Sequence, residues 1–133
     1  MRRADWETGL AAVICTHQEA AFAWGVRDCF TLVREAVWRQ TGICIWPEVR
    51  YASAAQAAAR LRRHGFRRLG DALADVLPEI APAAAGRGDV GVVLEAGADA
   101  GVIVLGPELA GIAPEAGLTI LPRGRLVRAF KVS

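Results

Sequence analysis

The sequence predicts an α+β fold, with helices in the first half of the chain and antiparallel strands in the second. Three observations predict it. Apolar residues recur at helical spacing up to about Leu77, and short apolar runs bounded by Gly and Pro dominate from Gly88 onward. The stretch Ala81-Pro82-Ala83-Ala84-Ala85-Gly86 reads as a linker between the two. The 133 residues fit one domain over 1–133, with a helical half at 1–80, a linker at 81–87 and a β half at 88–133.

Trp6, Leu10, Val13 and Ile14 mark one amphipathic helix ending before Phe22. Phe22-Ala23-Trp24-Gly25-Val26-Arg27 is a loop. A second helix starts near Asp28, with Cys29, Leu32, Val33, Ala36 and Val37 on one face and Gly42 at its end. Ser53-Ala54-Ala55-Gln56 has the form of a capping box, so a third helix runs to about His64 and stops at Gly65. A short helix covers Asp71 to Leu77, where Pro78 stops it. Four strands follow, at Asp89–Leu94, Ala100–Leu105, Leu118–Leu121 and Leu126–Phe130, with turns at Ala96-Gly97, Gly106-Pro107 and Pro122-Arg123-Gly124. Helices followed by antiparallel strands give a layered α+β architecture.

Composition narrows the function classes. At 53% hydrophobic and 23% charged, the chain has the apolar content for a packed core and is too apolar to be disordered. The formal charge is +2 and Lys131 is the only lysine. An arginine bias of that kind points to GC-rich coding, so it does not call for a nucleic-acid partner. The start, Met1-Arg2-Arg3-Ala4-Asp5-Trp6-Glu7, lacks the apolar stretch of a signal peptide, and no run is long enough to span a membrane. Synthesis and folding in the cytosol are expected. The odd count of three cysteines argues against a disulfide framework. Cys15 and Cys44, each among apolar neighbours, are expected to be small buried residues.

Trp24-Gly25-Val26-Arg27-Asp28-Cys29 is the most specific local signal. Cys29 falls in the first turn of a helix after a tight loop, where partial positive charge stabilises a thiolate. A cysteine nucleophile belongs at such a place. Asp28 is read as the helix cap or orienter, although its carboxylate disfavours a second anion beside it. Cys29 equally suits a small residue packed under Trp24. Trp6, Trp24, Trp38 and Trp46 are mostly core by expectation, with Trp24, Gly25 and Trp46 as candidate lining of a cleft beside Cys29. Surface or helix-capping roles are expected for His17 and His64. The cysteine and histidine spacings match no structural zinc pattern, so no metal and no cofactor are expected. The basic run Arg60–Arg68 reads as a solvated helix face, or else as a contact for an acidic protein surface.

Trp24-Gly25, Asp28-Cys29 and then Gly88-Asp89-Val90 resemble the NlpC-type (papain-like) cysteine peptidase superfamily, and within it the small group encoded among phage and prophage tail genes. Gly117-Leu118 and the final strand through Ala129-Phe130-Lys131-Val132 resemble the same group. The resemblance implies N-terminal helices packed on a C-terminal antiparallel sheet or half-barrel. It also implies a histidine base about ten residues after the Gly-Asp pair, where this chain reads Asp99-Ala100-Gly101-Val102. An aspartate, with a reference pKa of about 3.9 against about 8.5 for a thiol, is a poor base for Cys29. Of the polar residues that would orient a histidine, only Thr119 stands on the following predicted strand.

The expectation is therefore a structural component of a phage or prophage tail tip or baseplate hub, built on a degenerate peptidase fold and located in the virion. By the resemblance, its partners are the distal tail ring, the central hub and the large fibre-bearing tail protein. The alternative is an active cysteine peptidase or amidase that cleaves peptidoglycan during tail penetration, with Cys29 as nucleophile. Peptidoglycan is a possible ligand in either case, and nucleic acid is not expected.

Overall fold

The computed structural model describes residues 1–19 and 21–133. Helices α1 (Trp6–Glu19), α2 (Cys29–Thr41), α3 (Ala54–Arg63) and α4 (Leu69–Val76) come first. Strands β1 (Glu79–Ile80), β2 (Val90–Glu95), β3 (Ala98–Val104), β4 (Glu108–Ala113), β5 (Gly117–Pro122) and β6 (Arg128–Phe130) follow, in one antiparallel sheet of order β1-β6-β2-β3-β4-β5. The fold is α+β, as the sequence predicts.

Local chemistry sets the helix ends. Asp28 accepts from the Thr31 backbone N–H at 2.9 Å while the Thr31 hydroxyl accepts from the Asp28 N–H at 2.8 Å, a reciprocal cap at the start of α2. Gly42 ends that helix in the left-handed conformation, with φ of 80°. At α3 the Ser53 hydroxyl accepts from Gln56 N–H, but the Gln56 side chain reaches Ala52 N–H instead of closing the box on Ser53.

α1 and α2 pack on one face of the sheet. Leu10 and Val13 of α1 and Leu32, Val33, Ala36 and Val37 of α2 meet Val90, Val92, Ile103 and Phe130. The opposite face is buried as well, by Val93, Val102, Val104, Leu109 and Ala129 with Ala85 and Leu126. Burial on both faces explains why β2 and β3 read as continuous apolar runs. Asp89, fully buried, ties the termini to this core. Its carboxylate accepts from Arg2 Nη2 and Val132 N, each at 3.0 Å, and from Gly86 N at 2.9 Å. Gly88 precedes it at φ of 93°, where a Cβ would collide with the Gln40 side chain.

The structure corrects several expectations. β4 was not anticipated: Glu108-Leu109-Ala110-Gly111-Ile112-Ala113 has low strand propensity, and full pairing with β5 forms it. β1 lies in the stretch assigned to the helical half, and short 3-10 turns at Pro82–Ala84 and Arg123–Arg125 occupy the linker and the last turn. Cys15 and Cys44 are exposed, not buried. Cys15 sits off the Leu10–Val13–His17 stripe of α1, and in the Ile43–Ile45 segment Ile45 alone enters the core. His17 is buried rather than on the surface, because it continues that stripe by one turn and Glu35 of α2 meets its Nε2 at 3.2 Å. The tryptophans are less buried than expected: Trp24 and Trp38 are 38% and 42% exposed, and Arg39 stacks over the Trp38 ring. Among the described residues, no helix is long and apolar enough to cross a membrane.

Candidate functional site

The candidate site starts from the cap of α2. Asp28 Oδ2 accepts the Gly25 backbone N–H at 2.8 Å while Oδ1 holds Thr31 N. One carboxylate thus fastens both the Trp24–Arg27 loop and the first turn of α2, and Cys29 becomes the first helical residue. Gly25, at φ of 78°, passes directly under the Tyr51 carbonyl, which any Cβ at that position would strike. The glycine read as cleft lining is therefore a crossing point that brings the Tyr51 segment over the start of α2.

That segment is fixed from α2 as well. The Arg34 guanidinium donates to the Trp46 and Val49 carbonyls at 3.1 and 3.3 Å. Trp46 has φ of 49°, a left-handed conformation that costs a non-glycine residue of order 1 kcal/mol and needs such anchoring. Its indole N–H donates to the Ala72 carbonyl at 3.3 Å. The result is a cleft of about 660 Å³ between the start of α2, the Trp46–Tyr51 segment, α3, the start of α4 and the β2–β3 turn. Trp24, Asp28, Cys29 and Trp46 line it together. Tyr51, His64 and Phe66, which sequence reasoning did not place there, line it too. His64 lies with its ring centroid 5.0 Å from that of Trp46.

The surroundings of Cys29 favour its neutral thiol. Burial pushes its thiol above the ordinary value, the Asp28 charge adds to the rise, and the backbone N–H groups of Gly101, Cys29 and Phe30 only partly oppose it. The residue keeps partial exposure to the cleft, but the protein packed around the sulfur governs its titration. The positive end of α2, expected to stabilise a thiolate, is outweighed. Tyr51 is pushed far upward as well, first by burial and then by the Asp28 carboxylate, so it stays a neutral phenol.

Among the described residues no side chain makes a hydrogen bond to the Cys29 sulfur. His17 is on the far helix, engaged with Glu35. His64 shares the cleft wall but makes no hydrogen bond to Cys29. Where the resemblance would put a histidine, β3 brings Gly101 against Cys29, and a Cβ there would lie 2.7 Å from the Cys29 carbonyl. Asp99, on the same face of β3, accepts from Arg68 at 2.7 Å and from Gly70 N at 3.0 Å. Thr119 pairs with Gly111 at the sheet edge, away from the cleft.

A family model described as a domain of unknown function, DUF6950, matches residues 1–132, and the chain belongs to that family. No curated protein matches it.

Proposed function

We propose that this DUF6950 protein is a non-catalytic building block of a phage or prophage tail tip, a papain-like domain of the NlpC type that has kept the fold and lost the chemistry. The observation that carries the non-catalytic part is the surroundings of Cys29: a thiol pushed upward by burial, with no histidine bonded to it among the described residues and the Gly101 backbone packed against its carbonyl. Thiol attack needs a thiolate or a base to make one, and the surroundings of Cys29 favour neither. The papain-like part is supported by a cysteine opening the helix that lies on the sheet, and by Gly88-Asp89 leading into β2 next to β3. The tail-tip assignment is supported by the sequence resemblance, with the distal tail ring, hub and fibre-bearing protein as partners.

The test is Cys29→Ala in the genome that encodes the protein. Tail assembly and infectivity remain at the wild-type level under this reading, whereas deletion of residues 81–133 abolishes tails. Loss of infectivity by Cys29→Ala with tails intact would contradict it.

The second reading, a peptidoglycan amidase or endopeptidase, is favoured by one observation, that His64 and Cys29 line the same cleft. It requires His64 to move against Cys29. Incubation of the purified protein with muropeptides yields no Cys29-dependent product if the first reading holds.

A further inference from the structure

α3 is the anomaly of the fold. Its positions Ala54, Ala57, Ala58 and Leu61 form an i, i+3, i+4, i+7 stripe, yet no residue of the helix is buried. An amphipathic helix ordinarily presses such a stripe onto the core. Here the stripe faces the cleft, opposite the Trp46 and Phe66 rings, whose centroids are 5.7 Å apart.

The rim of the cleft is basic. Arg60, Arg67 and Arg68 line it along with two carboxylates, Asp28 and Asp99. Both carboxylates are engaged, Asp28 by the Gly25 and Thr31 N–H groups and Asp99 by Arg68 and Gly70 N–H. Arg60 donates its Nε to the Arg50 carbonyl at 3.1 Å, which holds the guanidinium at the cleft without neutralising it. Among the described residues, neither Arg60 nor Arg67 forms an ion pair. The cleft therefore offers an apolar floor and two uncompensated guanidinium groups at its edge.

We infer that this cleft is a docking groove for an acidic peptide segment of a partner protein, whose apolar side chains enter between Leu61, Trp46 and Phe66 and whose carboxylates meet Arg60 and Arg67. The stripe from Ala54 to Leu61 spans roughly 10 Å at the helical rise, which matches about three residues of extended chain. Guanidinium groups favour carboxylates through paired hydrogen bonds. A nucleic-acid strand fits less well. It needs a longer run of cations along its backbone than the two free arginines of this cleft. The inference rests on the non-catalytic reading, because a segment held here passes Cys29 without being cut.

Fluorescence anisotropy tests it, using the purified full chain and a fluorescein-labelled peptide of alternating glutamate and leucine. A lysine/leucine counterpart and oligo(dT) serve as comparison probes. Saturable binding of the acidic peptide alone is expected, weakening with salt. The Arg60→Glu/Arg67→Glu variant weakens it by about tenfold or more while the chain still melts cooperatively, since neither residue belongs to the buried core. Leu61→Asp weakens it too. The inference is overturned by no saturable binding, by equal binding of the lysine peptide, by tighter binding of oligo(dT), or by an arginine double variant that binds like wild type. Cleavage in the separate muropeptide assay would remove the non-catalytic reading and with it the uncut passage past Cys29, whereas indifference to the arginine reversals would remove the groove and leave that reading standing.

Discussion

α2 and α3 are opened by the same kind of signal and end in different situations. Each has an extended residue whose side-chain oxygen accepts the N–H three positions on, Asp28 in one and Ser53 in the other. α2 then buries Thr31, Leu32, Val33, Ala36, Val37 and Gln40, while α3 buries nothing. Caps and periodicity establish that a helix forms, and the facing surface decides what the helix is for. α2 faces β2, β3 and β4 and becomes the spine of the core. α3 faces a gap and becomes the wall of a cleft.

The contrast predicts a graded response to substitution. The largest effect belongs to the body that α2 organises. Asp89→Ala leaves Arg2 and two backbone N–H groups without their buried acceptor and costs about 3–5 kcal/mol in urea unfolding. Leu32→Ala, at a fully buried position, costs about 2–5 kcal/mol. On α3 the matching truncation, Leu61→Ala, costs less than Leu32→Ala, about 1 kcal/mol, because the side chain is only partly buried. Were Leu61→Ala as damaging as Leu32→Ala, the comparison would fail. Ser53→Ala removes a cap worth about 1 kcal/mol to α3, and the loss shows as faster amide exchange confined to that helix while α2 stays protected.

The smallest effect is electrostatic. Hydrogen bonding to Arg128 holds the Glu79 carboxyl below its usual range. A carboxyl whose folded pKa is lowered stabilises at pH above its unfolded value, and that contribution fades as pH falls through the folded one. Glu79→Gln therefore leaves stability nearly unchanged in acid and lowers it slightly at neutral pH. The effect is small because the pair is largely in water.

Much of this was legible in the sequence, for reasons that also mark where legibility stopped. Asp28, Gly42 and Ser53 announce their helices through local chemistry that needs no tertiary partner. β4 was silent because alanine and glycine fill Leu109–Ala113, and only its neighbours make it a strand. His17 was misplaced because residue type suggested water, whereas its spacing after Leu10 and Val13 put it inside and Glu35 supplied the partner. Cys29 and Asp28 were readable from the cap and loop. Tyr51 and His64 were not read as cleft lining, since loops distant in sequence bring them there. The Ala54–Leu61 stripe was the available signal for the α3 wall. The raised thiol could not be read either: the favourable charge at a helix start is local, but the burial that outweighs it depends on β3 and on Gly101.

Under the proposed function Cys29 opens α2 without acting as a nucleophile, and the rate of its alkylation against pH measures this directly. Cys15 and Cys44 are exposed and must first be replaced by serine, leaving Cys29 as the only thiol. Iodoacetamide should then react slowly at neutral pH, with the rate rising only at alkaline pH above the range of a free thiol, because burial and the Asp28 charge hold the proton on. Fast alkylation at neutral pH, with a midpoint below that of a free cysteine, would mean an activated thiolate and would contradict the account.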